Sequence, residues 1–228
     1  MTAIRDLWYH YGRSRAATDR AVPEAFYWIW TQDSGPGAEL LGELSGRCVG
    51  DLGAGAARHA AYLATRHQPA QVVAVDGSPA QYAMATDLYG HLAPRLRIVA
   101  SDAVTHLRAM AATYDVLYSV FGAVDFTDPR TLLPAAAAAL RPGGRLVFST
   151  LAHYLNGMPA EPDAVAARIP TKTPDGQAAT MNRWVLQEHV WTKLLDEAGF
   201  TRITVDVLNA TTDGPRTADT LLLRAYRA

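Results

Sequence analysis

The sequence predicts an α/β fold, a doubly wound and mostly parallel sheet with helices on both faces. Two observations carry this. From residue 47 onward, short apolar runs alternate with segments of helical composition. The first three of those runs end in Gly or Asp just ahead of a helix start, at Gly53, Asp76 and Asp102. The 228 residues suffice for one large domain, or one domain with a small addition, and bury a core without staples.

The elements run in order. RCVGDLG (47–53) is a short strand ending in Gly, and AARHAAYLATRH (56–67) is helical. QVVAVDG (71–77) is a buried strand. SPAQYAMATDLYG (78–90) opens a helix with Ser78 as cap and Pro79 in the first position. LRIVASD (96–102), VTHLRAMAA (104–112) and YDVLYSVF (114–121) read as strand, helix and strand. PRTLLPAAAAAL (129–140) is a helix that RPGG stops, and RLVFSTL (145–151) is the fifth strand. Residues 152–184 break the rhythm with four prolines, and Pro174-Asp175-Gly176 reads as a turn joining two short strands. VLQEHVWTKLLDEAGF (185–200) is a helix closed by Gly199. TRITVDVLNA (201–210) and DTLLLRAYR (219–227) form an antiparallel pair of strands.

Composition excludes several functions. The 21 basic and 22 acidic residues give a net charge of −1, without the broad basic field of a nucleic-acid binder. The single cysteine, Cys48, allows neither an internal disulfide nor a multi-cysteine zinc site, and it reads as a small buried hydrophobe. No signal-type stretch opens the sequence, and no window approaches the ~20 apolar residues of a membrane helix. The expectation is a soluble cytoplasmic protein, monomer or homodimer, with no metal and no membrane or nucleic-acid partner.

The strongest chemical signal is VGDLGAGAARHA. A strand ends, a turn follows at Gly53 and Gly55, and a helix starts with its first N–H groups free. Taken alone this is also an ordinary strand-to-helix turn. Asp76, 21 residues after Gly55, ends the second strand, where a carboxylate accepts two hydrogen bonds from a ribose diol. A pyrophosphate-binding turn needs a third glycine, and Arg58 stands there instead, which disfavours a nicotinamide dehydrogenase. Asp51 adds an acid to the first strand and Asp102 ends the third. Three acids at three consecutive strand ends suit a cationic, adenosine-containing ligand with a free amine.

Over residues 35–228 the chain resembles the class I S-adenosylmethionine-dependent methyltransferases, whose fold is Rossmann-like. The resemblance rests on an ordered set of segments: VGDLGAGAARHAAYLA, VVAVDGSPAQ, ASDAVTHL, YDVLYSVFGAVDF, LRPGGRLVFST and LLDEAGF. It implies a seven-strand sheet of order 3-2-1-4-5-7-6 with strand 7 antiparallel. It places Gly53, Ala54 and Gly55 along the methionine portion of the cofactor and Asp51 at its amine. Asp76, with Gly77 and Ser78, falls at the ribose, and Asp102 and Ala103 beside adenine. Backbone carbonyls near Tyr118 and Ser119 face the amine and the methyl. The expected product is S-adenosylhomocysteine.

Methyl transfer from a sulfonium asks the protein for alignment, desolvation and, for some acceptors, a base. His153, just beyond the fifth strand, is the candidate base, and His10 a weaker one. The N-terminal aromatic segment, 1–34, and the insertion 152–184 are the expected cover of a methyltransferase domain spanning 35–228. Within these, and at the end of the fourth strand, Trp8, Tyr11, Trp28, Trp30, Phe121 and Tyr154 are candidate contacts for a small-molecule acceptor. Arg5, Arg13, Arg15 and Arg20 read either as a patch for an acidic substrate or as a solvated face.

The function expected is methylation of oxygen or nitrogen on a small organic molecule in specialised, natural-product metabolism. The competing readings are an RNA or protein methyltransferase and a cofactor-binding protein of this fold that does not methylate.

Overall fold

The computed structural model describes residues 6–211, 214 and 216–228. A short helix, α1 (Arg13–Thr18), precedes the alternating elements. These run β1 (Cys48–Leu52), α2 (Arg58–Arg66), β2 (Gln71–Asp76), α3 (Pro79–Tyr89), β3 (Leu96–Ala100), α4 (Ala103–Arg108) and β4 (Tyr114–Val120). Then come α5 (Ala123–Phe126), α6 (Pro129–Ala139), β5 (Leu140–Leu151), the pair β6 (Ala167–Lys172) and β7 (Ala178–Arg183), α7 (Glu188–Glu197), β8 (Phe200–Leu208) and β9 (Thr220–Arg227).

The main sheet has seven strands in the order β3-β2-β1-β4-β5-β9-β8. β9 runs antiparallel to both β5 and β8, and the other pairings are parallel. Counted without the β6–β7 hairpin, this is the order 3-2-1-4-5-7-6 with strand 7 antiparallel, as expected. The hairpin makes a separate two-stranded sheet, and its turn carries Gly176 at φ 84°.

The apolar runs are continuous because both sheet faces are covered. In β2, Val73 and Val75 point into one core with Leu117 and Phe148. Val72 and Ala74 point into the other with Val49, Tyr118 and Leu222. Helix starts follow local chemistry. The Ser78 hydroxyl accepts the Gln81 N–H with Pro79 in the first turn, Asp102 accepts from Thr105, and Asp128 accepts from Arg130. No helix among the described residues is long and apolar enough to cross a membrane.

Two boundaries and one element differ from expectation. β5 begins at Leu140, not 145, because Leu140 pairs with Tyr114 before a register shift leads into the Val116–Arg145 pairing. The helix after the hairpin starts at Glu188, since residues 184–187 pack and bridge before it. The four-residue helix α5 was not legible in the sequence.

One backbone contact fixes the carboxyl edge of the sheet. A Cβ on Gly122 would lie 2.5 Å from the Leu52 carbonyl oxygen and 2.7 Å from that of Gly53. A Cβ on Gly53, at φ 78°, would strike the Ala123 nitrogen. The turns after β1 and β4 therefore touch main chain to main chain, and only glycine fits at both positions. Gly53→Ala should cost about 2–4 kcal/mol of stability, from the positive φ and the clash together. Equilibrium urea unfolding tests this, and a loss within 0.5 kcal/mol of zero would contradict it.

Candidate active site

The first three strands deliver their acids to one edge of the sheet. Asp51, second to last in β1, is buried and accepts a hydrogen bond from the Tyr118 hydroxyl at 2.8 Å. Burial pushes its carboxyl up to about 7, against the Tyr118 bond and helped by the charge of Asp76. Burial, with the neighbouring Asp51, holds the Tyr118 phenol well above its usual range, so it remains a donor.

Asp76, at the end of β2, accepts from the Gly55 and Ser78 N–H groups, both at 2.8 Å. Burial raises its carboxyl, those two bonds oppose the rise, and nearby Asp6 adds to it. The Gly53 and Ala54 N–H groups both go to the Val75 carbonyl, at 2.9 and 3.0 Å. These loop donors are thus spent inside the protein, where the sequence suggested free ones. The turn offers carboxylates to a ligand and spends its own N–H groups, which is the arrangement for a cation and not for a pyrophosphate.

Asp102 lies exposed at the end of β3 and caps α4 through the Thr105 N–H at 2.8 Å. Burial is the largest single influence and raises its carboxyl, but hydrogen bonds, led by those to Thr105, together outweigh it and leave the group below its usual range. Gly77 sits against it, with a Cβ position 3.6 Å from the Asp102 Cα. Ala103 is buried at the first position of α4. The Ser119 hydroxyl donates to the Leu52 carbonyl at 2.8 Å, another tie between β4 and β1.

Asp6 was not legible in the sequence. It accepts from the Ser78 hydroxyl (2.8 and 2.9 Å) and the Ala80 N–H (3.0 Å), so it caps α3 beside Asp76. Gln81 then donates to the Trp8 and Tyr11 carbonyls, both at 2.9 Å. This strap also reaches the hairpin. His10 Nε2 lies 2.9 Å from the Thr173 carbonyl, and the Thr171 hydroxyl donates to the Leu7 carbonyl at 3.1 Å.

The acceptor candidates separate into groups. Trp30, Phe121 and Tyr154 pack in one cluster with Leu151 and Val185, and the Trp30 and Phe121 rings meet edge-on at 5.1 Å. Phe121 holds a φ of 48°, costly for a bulky residue, at the point where β4 gives way to the Gly122 turn. Trp8 packs edge-on against Phe126 at 4.5 Å and touches Tyr11, which is 63% exposed. Trp28 does not line a site: it is fully buried with Phe26 and Tyr118, and its indole N–H donates to the Gly37 carbonyl.

His153 is not placed as a free base. Its Nε2 accepts the Asp219 N–H at 3.2 Å, so the proton sits on Nδ1, which lies 3.0 Å from the Tyr154 carbonyl. Nε2 ties the end of β5 to the start of β9, and Nδ1 faces the carbonyl of the next residue. His10 likewise spends Nε2 on the hairpin. Of the arginine patch, Arg13 lies over the Tyr9 ring and Arg20 pairs with Asp87 at 2.8 Å. Arg5 lies outside the described residues, and the side chain of Arg15 is likewise not described.

A buried pair was also missed. Arg183, at the end of β7, donates from Nε (3.1 Å) and Nη2 (2.6 Å) to Asp125 Oδ2 on α5. The guanidinium lies 5.3 Å from the Trp30 ring centre and 5.2 Å from that of Phe126. The alternation of β7 predicts an inward residue at 183, but no sequence signal gave it a partner. Among the described residues no group of three or more His, Cys, Asp or Glu could hold a metal ion.

Residues 49–144, from β1 through the RPGG segment, match the family described as methyltransferase domain. The chain carries a methyltransferase domain. No curated protein matches it in sequence. Solved structures of methyltransferases share the fold of the domain. A 1,6-didemethyltoxoflavin N1-methyltransferase from Burkholderia thailandensis, holding 1,6-didemethyltoxoflavin and S-adenosylhomocysteine, is 23% identical with a TM-score of 0.56, over 81% of this chain and 72% of that one. A Listeria monocytogenes protein described as an S-adenosylmethionine-dependent methyltransferase is 15% identical with a TM-score of 0.63, over 83% and 95%. A geranyl diphosphate methyltransferase in complex with S-adenosylmethionine is 14% identical with a TM-score of 0.60, over 82% and 81%. At these identities the likeness establishes the fold: the methyltransferase domain here is of class I, Rossmann-like architecture.

The buried acid of this methyltransferase domain carries a stability cost. The folded chain holds the Asp51 proton up to about pH 7, whereas the unfolded chain releases it near 3.8. Its contribution to stability is therefore full below about 3.8 and lost as pH rises through 7. Asp51→Asn cannot ionise and still accepts the Tyr118 bond. It should stabilise the ligand-free protein at pH 8 by roughly 1–3 kcal/mol, with the gain shrinking toward pH 5. Thermal melts across that range measure it, and a destabilised variant at pH 8 would contradict the assignment.

Proposed function

We propose that this chain transfers a methyl group from S-adenosylmethionine to an oxygen or nitrogen of a small organic molecule. The observation that carries the reading is the pair Asp51 and Asp76, gathered at adjacent strand ends beside a turn whose N–H groups are satisfied internally. Its donor set fits the proposed ligand. Asp51 would hold the amine, Asp76 the ribose diol, and Asp102 the exocyclic amine of adenine. When bound, the sulfonium supplies an activated methyl group. The chain's part is to hold the donor, exclude water and orient the acceptor.

The acceptor side is read as the space between β4, β5 and the two covering segments. The strap at residues 6–11 and the β6–β7 hairpin bond to each other across this edge, which supports residues 1–34 and 152–184 as cover. Trp30, Phe121 and Tyr154 supply an aromatic wall suited to a small planar or apolar acceptor. Structural neighbours described as methyltransferases of 1,6-didemethyltoxoflavin and of geranyl diphosphate support a small-molecule substrate. Specialised metabolism and a cytoplasmic location complete the reading.

Calorimetry with S-adenosylhomocysteine tests the donor site. Wild-type protein should bind, and Asp76→Ala should weaken binding about tenfold or more through loss of the ribose contacts. Affinity should also fall as pH drops below 7, by up to about tenfold per unit, because the ligand's ammonium needs Asp51 ionised. Asp51→Asn should flatten that profile. Absence of binding heat with both S-adenosylmethionine and S-adenosylhomocysteine would overturn the reading.

A further inference from the structure

Gln81, the third residue of α3, is an amide whose two ends are treated differently. Its nitrogen donates to the Trp8 and Tyr11 carbonyls, both at 2.9 Å. Its oxygen, Oε1, is buried and accepts no hydrogen bond from the described residues. The two ends cannot be exchanged, because Oε1 would then face two carbonyl oxygens that need donors. Gln81 is 2% exposed, and an amide oxygen held there without a donor costs stability. The strap accounts for the nitrogen and leaves the oxygen without a structural role.

Oε1 faces the donor turn on its open side. A Cβ placed on Gly55 would lie 3.5 Å from Oε1, and apart from Gly55's neighbours in the chain no other atom comes within 4 Å of that position. A space therefore opens beside Gly55, with Oε1 on its wall. Gly53, Ala54 and Gly55 are all half-buried, so a ligand lying along the turn reaches this space from outside. The N–H of the same Gly55 donates to Asp76 Oδ2 at 2.8 Å. Gln81 and Asp76 thus flank one glycine, and both present oxygen. Two acceptors converging there call for a group that brings more than one hydrogen, and a diol does so.

We propose that Gln81 Oε1 belongs to the donor site and accepts a hydrogen bond from a ribose hydroxyl of the bound cofactor, next to Asp76. The inference rests on the methyltransferase reading above and adds a residue to it. The Trp8 and Tyr11 carbonyls act at one remove. By holding the nitrogen they keep the oxygen turned to Gly55, so the N-terminal strap orients a group of the donor site. An acceptor set in place beforehand binds more tightly than one that must be ordered on binding.

Calorimetry on the full chain with three ligands tests this: S-adenosylhomocysteine and its 2′-deoxy and 3′-deoxy analogues, each lacking one ribose hydroxyl. The wild type should prefer the parent ligand to both analogues. Gln81→Met keeps the length of the side chain and removes Oε1. It should cut the preference over at least one analogue about fivefold, the worth of one hydrogen bond between neutral groups. The strap loses its two bonds in this variant as well, but that loss is common to the three ligands and cancels in the ratios. An equal fall in affinity for all three ligands would mean that Gln81 only holds the strap, and would overturn the proposal, as would unchanged affinities. Failure of the wild type to bind S-adenosylhomocysteine would strike the methyltransferase reading, independently of Gln81. If Gln81→Met does not fold, a crystal structure of the wild type with S-adenosylhomocysteine decides: a ribose hydroxyl oxygen lies within about 3.2 Å of Oε1 or the proposal fails.

Discussion

The carboxyl edge of the sheet depends on two backbones that touch. Gly53 and Gly122 bring the turn after β1 against the turn after β4 with no room for a Cβ on either. Every group at the site is placed relative to this contact. On one side the first turn runs on to Gly55, whose N–H orients Asp76. On the other side, α5 begins at Ala123 and puts Asp125 toward β5 and the hairpin. Ser119, bonded to the Leu52 carbonyl, reinforces the same junction from within the sheet. Asp76 and Asp125 are thereby held on either side of a junction made of main chain, the least adjustable part of a protein.

Electrostatics then divides the labour. Asp51 is buried and Asp76 half-buried, and burial raises both carboxyls, so a cation relieves part of the cost of holding them there. Asp125 differs because Arg183 is built in beside it. Among the described residues no cation pairs with the first two, whereas the third has Arg183. The pH behaviour of the two halves should differ accordingly, with cofactor affinity following Asp51.

Much of this edge was legible in the sequence, for a physical reason. Strands covered on both faces read as unbroken apolar runs, and the residues that end them are punctuated by Gly, Asp and helix caps. Asp51, Asp76 and Asp102 were found that way, and the sheet order came from the resemblance those segments carry. What stayed hidden depends on contacts between distant segments. Asp6 caps a helix more than seventy residues away in the sequence, and Arg183 meets Asp125 across 58 positions. His153 and Trp28 were assigned by chemical type and approximate place. Their hydrogen bonds, to the Asp219 N–H and the Gly37 carbonyl, show what a residue's type cannot. Trp30, Phe121 and Tyr154 were named separately and turned out to be neighbours, because the N-terminal segment, β4 and the insertion converge there.

The hairpin has a standing of its own. β6 and β7 pair only with each other, in a sheet separate from the seven-stranded one. Its strands alternate exposed and half-buried residues, so its own ladder needs little from the rest of the fold. Changes in its sequence and length therefore reach the strands that carry the acids through two routes alone among the contacts described here, the strap at residues 6–11 and the Arg183 bond to Asp125.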